Sequence, residues 1–164
     1  MKNKSNLPSK TEMSYSQQQL ENIIRESVAI LLKERPNLLK RNYDIHERTI
    51  CSKLACIIEK HIKNYHVDTE YNRMTDEQNN QIIKKIPLRG NKKKARPDIV
   101  IHREEDALHN LLVIELKLAW KNKGKKKDIE KIKAYLEVLN YQYGLYIELN
   151  ENGIKCLEWV WNDK

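Results

Sequence analysis

From about Tyr15 to Lys33, Leu20, Ile23, Ile24, Ser27, Val28 and Leu31 recur at helical spacing, which predicts a first helix. The stretch ERPNL ends it, because Pro36 cannot sit in a helix interior. A second helix is expected from about Asp44 to His61, with Ile50, Cys51, Leu54, Ile57 and Ile58 as its apolar stripe. Asp44 is read as its N-cap, with Glu47 three residues on as in a capping box. The pattern then shortens. VDTEYN (67–72) alternates and reads as a strand with Asp68, Glu70 and Asn72 on one face. Residues 74–80 are polar and read as a loop, and Ile82–Leu88 is short and reads either way. RPDIVIH is a strand opening after Pro97, and LLVIELKLA is the strongest strand of the chain. KNKGKKK is expected to be a lysine-rich loop around Gly124. Asp128–Leu139 is helical, with Ile129, Ile132, Leu136 and Leu139 on one face. YGLYIEL, a turn at 151–153 and IKCLEWVW close the chain as two strands. The order ααβββαββ predicts an α/β (α+β) fold, a mixed central sheet flanked by helices.

The length of 164 residues suits one domain, 15–164, behind a flexible N-terminal tail, 1–14. Apolar residues, 40% of the chain, suffice for one core. No run of about 18 apolar residues exists, so no transmembrane helix and no membrane partner is expected. The N-terminus lacks the apolar centre of a secretory signal. Cys51, Cys56 and Cys156 are odd in number and show no CxxC spacing. They point to a reducing cytoplasm, with neither a disulfide framework nor a zinc knuckle.

Charge changes the picture through its placement. The net charge is +8, yet residues 84–127 alone hold fourteen Lys or Arg against five Asp or Glu. The remaining residues balance to within one charge. A polyanion is the natural partner, nucleic acid first, although a solvated lysine surface has the same composition.

In LLVIELKLA, Leu112, Ile114, Leu116 and Leu118 share one face, and Val113, Glu115 and Lys117 the other. By itself Glu-x-Lys is ordinary in a half-exposed strand. The preceding strand alters that reading. A hairpin closing symmetrically near Asp106 and Ala107 sets Val100 opposite Val113 and Asp98 opposite Glu115. Directly opposite residues have Cβ atoms about 5 Å apart. Two facing carboxylates repel unless a hard cation lies between them, and Mg²⁺ takes carboxylate, water and phosphate oxygens. Lys117, one step along, is placed to position or deprotonate an attacking water or to stabilise transition-state charge.

Pro97-Asp98, a spacer and Glu115-Leu116-Lys117 resemble the motif of the PD-(D/E)XK nuclease superfamily. The order of helix, three strands, helix and strand is similar to that family's restriction-endonuclease-like core. The resemblance implies a metal-dependent nuclease that uses Mg²⁺ or Mn²⁺, with DNA ahead of RNA as substrate. It implies Asp98 and Glu115 as metal ligands, a backbone carbonyl ligand at Leu116, and Lys117 as the catalytic lysine. Many members carry a glutamate on the helix before the first core strand, and Glu47 fits that place, which implies it as a further catalytic residue and metal ligand beside Asp98 and Glu115. Many carry a polar residue on the helix after the motif, for which Lys131 and Tyr135 are the candidates, unless they lie on an exposed helix face. The EYNR stretch is similar to a feature of some small members, and Glu70 or Arg73 either approaches the site or serves pairing in the sheet. Phosphate contacts are expected from Lys92, Lys93, Lys94, Arg96, Lys121, Lys123, Lys125, Lys126, Lys127, Lys131 and Arg73. Cutting both strands of a duplex needs two sites, which raises the expectation of a homodimer.

No P-loop, GxSxG or HExxH motif competes, and His46, His61 and His66 show no metal-ligand spacing. Two other readings stand beside the nuclease. One is a nucleic-acid-binding or regulatory domain of the same fold without turnover, and the other a basic interaction module with an accidental motif.

Overall fold

Helix α1 runs over Gln17–Glu34 and buries Leu20, Ile24, Ser27, Val28 and Leu31, nearly the stripe expected. Ser16 caps it: its Oγ accepts from Gln19 N at 3.2 Å, and its own N–H donates to Gln19 Oε1 at 2.8 Å. The molecule is seen in a computed structural model that describes residues 14–75, 78, 80–104, 107–121 and 123–163. Most of the expected tail, residues 1–13, and Asp106 at the expected turn lie outside the described residues.

Helix α2 spans Glu47–His61 and starts later than expected. His46, not Asp44, occupies the cap position and offers it no side-chain hydrogen bond. Asp44 instead closes a 3₁₀ turn (Arg41–Tyr43) in the left-handed region, φ 45°, and pairs with Lys121 at 2.7 Å. The capping box is therefore not formed, and the Glu47 carboxylate is free for another use.

Among the described residues nine strands follow, numbered in chain order. Five build the central sheet in the order β1 (His66–Asp68), β6 (Ile99–His102), β7 (Asn110–Leu118), β8 (Tyr143–Asn150) and β9 (Gly153–Val160). Strands β7 and β8 run parallel, and the other pairs are antiparallel. The sheet is mixed, and its elements with α1, α2 and the later helix α3 (Lys125–Val138) follow the order ααβββαββ. Two hairpins, β2 (Arg73–Thr75) with β3 (Gln81–Ile83) and β4 (Lys85–Leu88) with β5 (Asn91–Lys94), interrupt that order between β1 and β6.

The hairpins correct several expectations. VDTEYN stops being a strand at Asp68, because its partner β6 runs out at Ile99 and Pro97 has no N–H to extend the ladder. Glu70 turns left-handed, φ 54°, and gives its N–H to Pro97 O at 2.9 Å. Met74 and Thr75 pair as strand, not loop. Ile82–Leu88 divides at Lys84 into two strands. Arg89 and Gly90, both at positive φ, make the tight two-residue turn of the second hairpin, a geometry that favours glycine.

Helices α1 and α2 cover the sheet face bearing Leu112, Ile114, Leu116 and Leu118. Helix α3 and β4 cover the face bearing Val100, Val113 and Tyr146. Each fully buried Leu or Ile contributes about 1.5–3 kcal/mol, so both layers hold β7 firmly. At Gly144 on β8 any Cβ would lie 2.3 Å from Ile132 Cγ2, so glycine lets α3 settle close to the sheet. Helix α3 begins at Lys125, with Gly124 at its cap, φ 103°. The last three residues of the expected lysine loop are therefore the first turn of a helix.

Candidate active site

The expected register is present: Ile99 pairs with Ile114, Val100 with Val113, and Ile101 with Leu112, before a bulge shifts His102 onto Asn110. Strand β7 outlasts its partner and runs on to Leu118. Its Leu116 and Leu118 N–H groups, on the side β6 has vacated, are taken up by two carboxylates. Asp98 Oδ2 accepts from Leu116 N at 2.8 Å, and Glu47 Oε2 accepts from Leu118 N at 2.9 Å. Acid side chains thus replace the two missing rungs of the ladder. A strand residue directs its N–H and C=O to the same side, so the Leu116 carbonyl opens toward the same gap.

Glu115 lies on the α3 face of β7 and is only 2% exposed. Its Oε2 receives Lys131 Nζ, and its Oε1 is buried with no hydrogen-bond partner. Burial first, and then the charge of Asp98, push Glu115 up to about 8 against the pull of Lys131. Burial likewise raises Asp98 to about 6, opposed by the Leu116 N–H, Lys131 and Lys117. Lys117 Nζ lies 3.3 Å from Asp128 Oδ2 and 3.9 Å from Glu47 Oε1. Desolvation pulls its ammonium down, but Asp128, Glu47 and Asp98 together hold it above the ordinary lysine value. Lys131 is held up in the same way by Glu115, Asp98 and Asp128, whose Oδ1 is 3.7 Å away. Cys51, buried beneath, has its thiol pushed up by burial and then by Asp98, Glu47 and Glu115. Those three acids therefore share one neighbourhood.

Asp98, Glu115, Leu116, Lys117 and Glu47 are brought together. Lys131 and Tyr135 do not lie on an exposed helix face. Lys131 is ion-paired into the site, and Tyr135 is fully buried, its hydroxyl near Glu115 and the Arg96 backbone but not in a well-formed hydrogen bond. Asp128 was not anticipated. Its signal is periodicity: positions 128, 131, 132 and 135 continue one face of α3, and a buried acid among them needs partners. Arg73 lies on the β2–β3 hairpin, and Glu70 is bound to Arg48 at 3.0 Å.

The expected phosphate contacts divide. Lys121 is paired with Asp44, and Lys125 with Glu158 at 2.8 Å. Lys131 belongs to the acidic cluster. Lys92, Lys93, Lys94, Arg96, Lys123, Lys126 and Lys127 are exposed, with no ion pair among the described residues. On the second hairpin Lys85 directly faces Lys94, a like-charge pair that destabilises a sheet and suits an anion.

Among the described residues no three His, Cys, Asp or Glu side chains converge into a group able to hold a metal ion. The oxygens on offer are those of Asp98 and Glu115 and the Leu116 carbonyl. Hard cations such as Mg²⁺ are commonly held by one or two carboxylates, with water and phosphate supplying the rest. The unpartnered Glu115 Oε1 fits such a donor set.

No family model matches the chain, and no curated protein does. A solved structure described as "Crystal structure of SSO0001" is similar over 87% of this chain, at 15% identity and a TM-score of 0.46. The match spans 65% of that structure's chain.

Proposed function

We propose that this chain is a Mg²⁺- or Mn²⁺-dependent nuclease with a restriction-endonuclease-like core, hydrolysing phosphodiester bonds of DNA ahead of RNA. The observation that carries the reading is the meeting of Asp98, Glu115 and Lys117 where β7 outruns β6, with a buried Glu115 oxygen left without a partner. Asp98, Glu115 and the Leu116 carbonyl would hold the cation. Bound there, it would activate a water and polarise a phosphate oxygen. Glu47 supports the site by closing the ladder at Leu118 and by lying beside Lys117. Lys117, kept protonated by its acidic neighbours, serves better as a fixed positive charge on the transferring phosphate than as a base. The exposed lysines of β5 and of the first turn of α3 would grip backbone phosphates.

The alternative is a nucleic-acid-binding or regulatory domain of the same fold, and one contact favours it. Lys131 already sits on Glu115, as a built-in cation would. Incubation with supercoiled, linear and single-stranded DNA, with Mn²⁺ and with EDTA, separates the two. Metal-dependent products support the nuclease, and binding without products supports the alternative. A homodimer is proposed only for cutting both strands of a duplex.

A further inference from the structure

At the ends of β7 and β8, by the β8–β9 turn, a cleft of about 340 Å³ opens. It lies within the range of about 300–1,000 Å³ that holds small ligands. Its polar and aromatic lining is Trp120, Arg41, Lys155, Asn150, Asn152 and the exposed acid Glu151. Trp120 sits three residues beyond Lys117, on the 3₁₀ turn Ala119–Lys121. Asn150 lies two residues beyond Glu148, the residue paired with Lys117 across β7 and β8. The strand ends that carry Lys117 therefore run on into residues of the cleft.

Its chemistry is mixed in a particular way. Trp120 is half-buried and packs against the α1/α2-face core, and its indole N–H has no acceptor among the described residues, so hydrogen bonding does not explain an indole there. Arg41 is exposed and has no ion pair among the described residues. Lys155 has only a distant partner, Glu148 Oε2 at 4.0 Å. Asn150 Oδ1 accepts from Asn152 N at 2.8 Å, which fixes that amide with its NH₂ free to donate. An aromatic ring, two cations against the single carboxylate of Glu151, and two amides match a base, its phosphate and its edge.

We infer that this cleft is a subsite for one unstacked nucleotide flanking the scissile phosphate. Its base lies against Trp120, its phosphate against Arg41 and Lys155, and its edge toward Asn150 and Asn152. A duplex must give up stacking and pairing to fill it, whereas a single strand need not. The inference rests on the nuclease reading and narrows its substrate to single-stranded or frayed nucleic acid.

The test is binding in EDTA, by fluorescence anisotropy, of labelled (dT)₁₂ and of a blunt 12-base-pair duplex. Trp120→Leu keeps an apolar side chain but removes the aromatic face. It should weaken (dT)₁₂ binding at least about fivefold and leave the duplex within about twofold. Arg41→Gln and Lys155→Gln should each flatten the slope of log affinity against log salt by about 0.7 on the single strand. Equal loss on both substrates, or no loss, overturns the subsite. If Trp120→Leu fails to fold, the two exposed-residue variants decide, and unchanged slopes overturn it. The readout needs no turnover. Unselective loss with wild-type cleavage intact removes the subsite alone. Selective loss in a protein that never cleaves keeps the subsite and removes the nuclease.

Discussion

Glu47 shows how one side chain can satisfy a sequence pattern while serving another purpose. Its spacing from Asp44 suggested a cap, but its carboxylate leaves the helix end for the Leu118 N–H and the neighbourhood of Lys117. Nothing local in the sequence distinguishes these uses, because the second depends on where β7 ends relative to α2. Glu47→Gln keeps an acceptor for Leu118 and removes the charge beside Lys117. Melting should show a stability change under about 1 kcal/mol, while cleavage falls at least about tenfold. Full activity in the variant would reduce Glu47 to a backbone prop. Lys84 was invisible for a different reason. It is 3% exposed, between the rings of Tyr71 and Tyr141 at 5.4 and 5.3 Å, and its Nζ donates to Tyr141 Oη at 3.3 Å. A lysine beside Lys85 in a basic run reads as solvent-facing until the hairpins close over it. Burial lowers it to about 8. Between about pH 8 and 10.5 the unfolded chain binds the extra proton, so stability should rise with pH across that window. Lys84→Met should stabilise the protein at pH 7 by about 1–3 kcal/mol, less what the ring contacts contribute, and should flatten that rise. Destabilisation at pH 7 would mean that the charge is needed where it lies.

At the scale of elements, the long periodic stretches were legible and the short ones were not. Helices α1 and α2, β7 and β8 declare themselves because packing and local pattern agree over many residues. The two hairpins between β1 and β6 have strands of three or four residues, too short for alternation to show. The meeting of Asp98 and Glu115 was legible because register follows from the apolar pattern of two adjacent strands. The part played by Lys131 and Asp128 was not, because it depends on how closely α3 approaches β8 at Gly144. The start of α3 also runs against helix preference. Lys125, Lys126 and Lys127 lie in a first turn whose exposed N–H groups favour acids. Glu158 compensates Lys125, while Lys126 and Lys127 remain exposed. Changing Lys126 and Lys127 to Glu should stabilise the fold by about 0.5–2 kcal/mol in total, read by denaturant unfolding. The same change should weaken nucleic-acid binding at low salt at least about tenfold. A stabilised double variant that binds as tightly as wild type would make this turn an ordinary solvated surface.

Across the whole molecule, the positive excess of residues 84–127 is spread over an exposed hairpin face, a helix start and the interior of an acidic cluster. Only the exposed share is available to a polyanion. The interior share opposes, without cancelling, the burial that raises Asp98 and Glu115. In the metal-free protein Asp98 keeps its proton up to about pH 6 and Glu115 up to about pH 8, whereas the unfolded chain releases both at about pH 4. Stability should therefore fall as pH rises from about 4.5 to 8. A divalent cation competes with those protons, so Mn²⁺ should raise Tm more at pH 8 than at pH 5.5, and the gain should vanish in Glu115→Gln. Equal gains at both pH values would place the metal elsewhere. The most direct measurement of the central claim is cleavage of labelled single-stranded DNA in Mn²⁺ by wild type and by Asp98→Asn, both shown folded by melting. The account predicts products from wild type that EDTA abolishes, and a loss of at least about 100-fold, or about 2.7 kcal/mol, in the variant. Cleavage by Asp98→Asn within about threefold of wild type would contradict it.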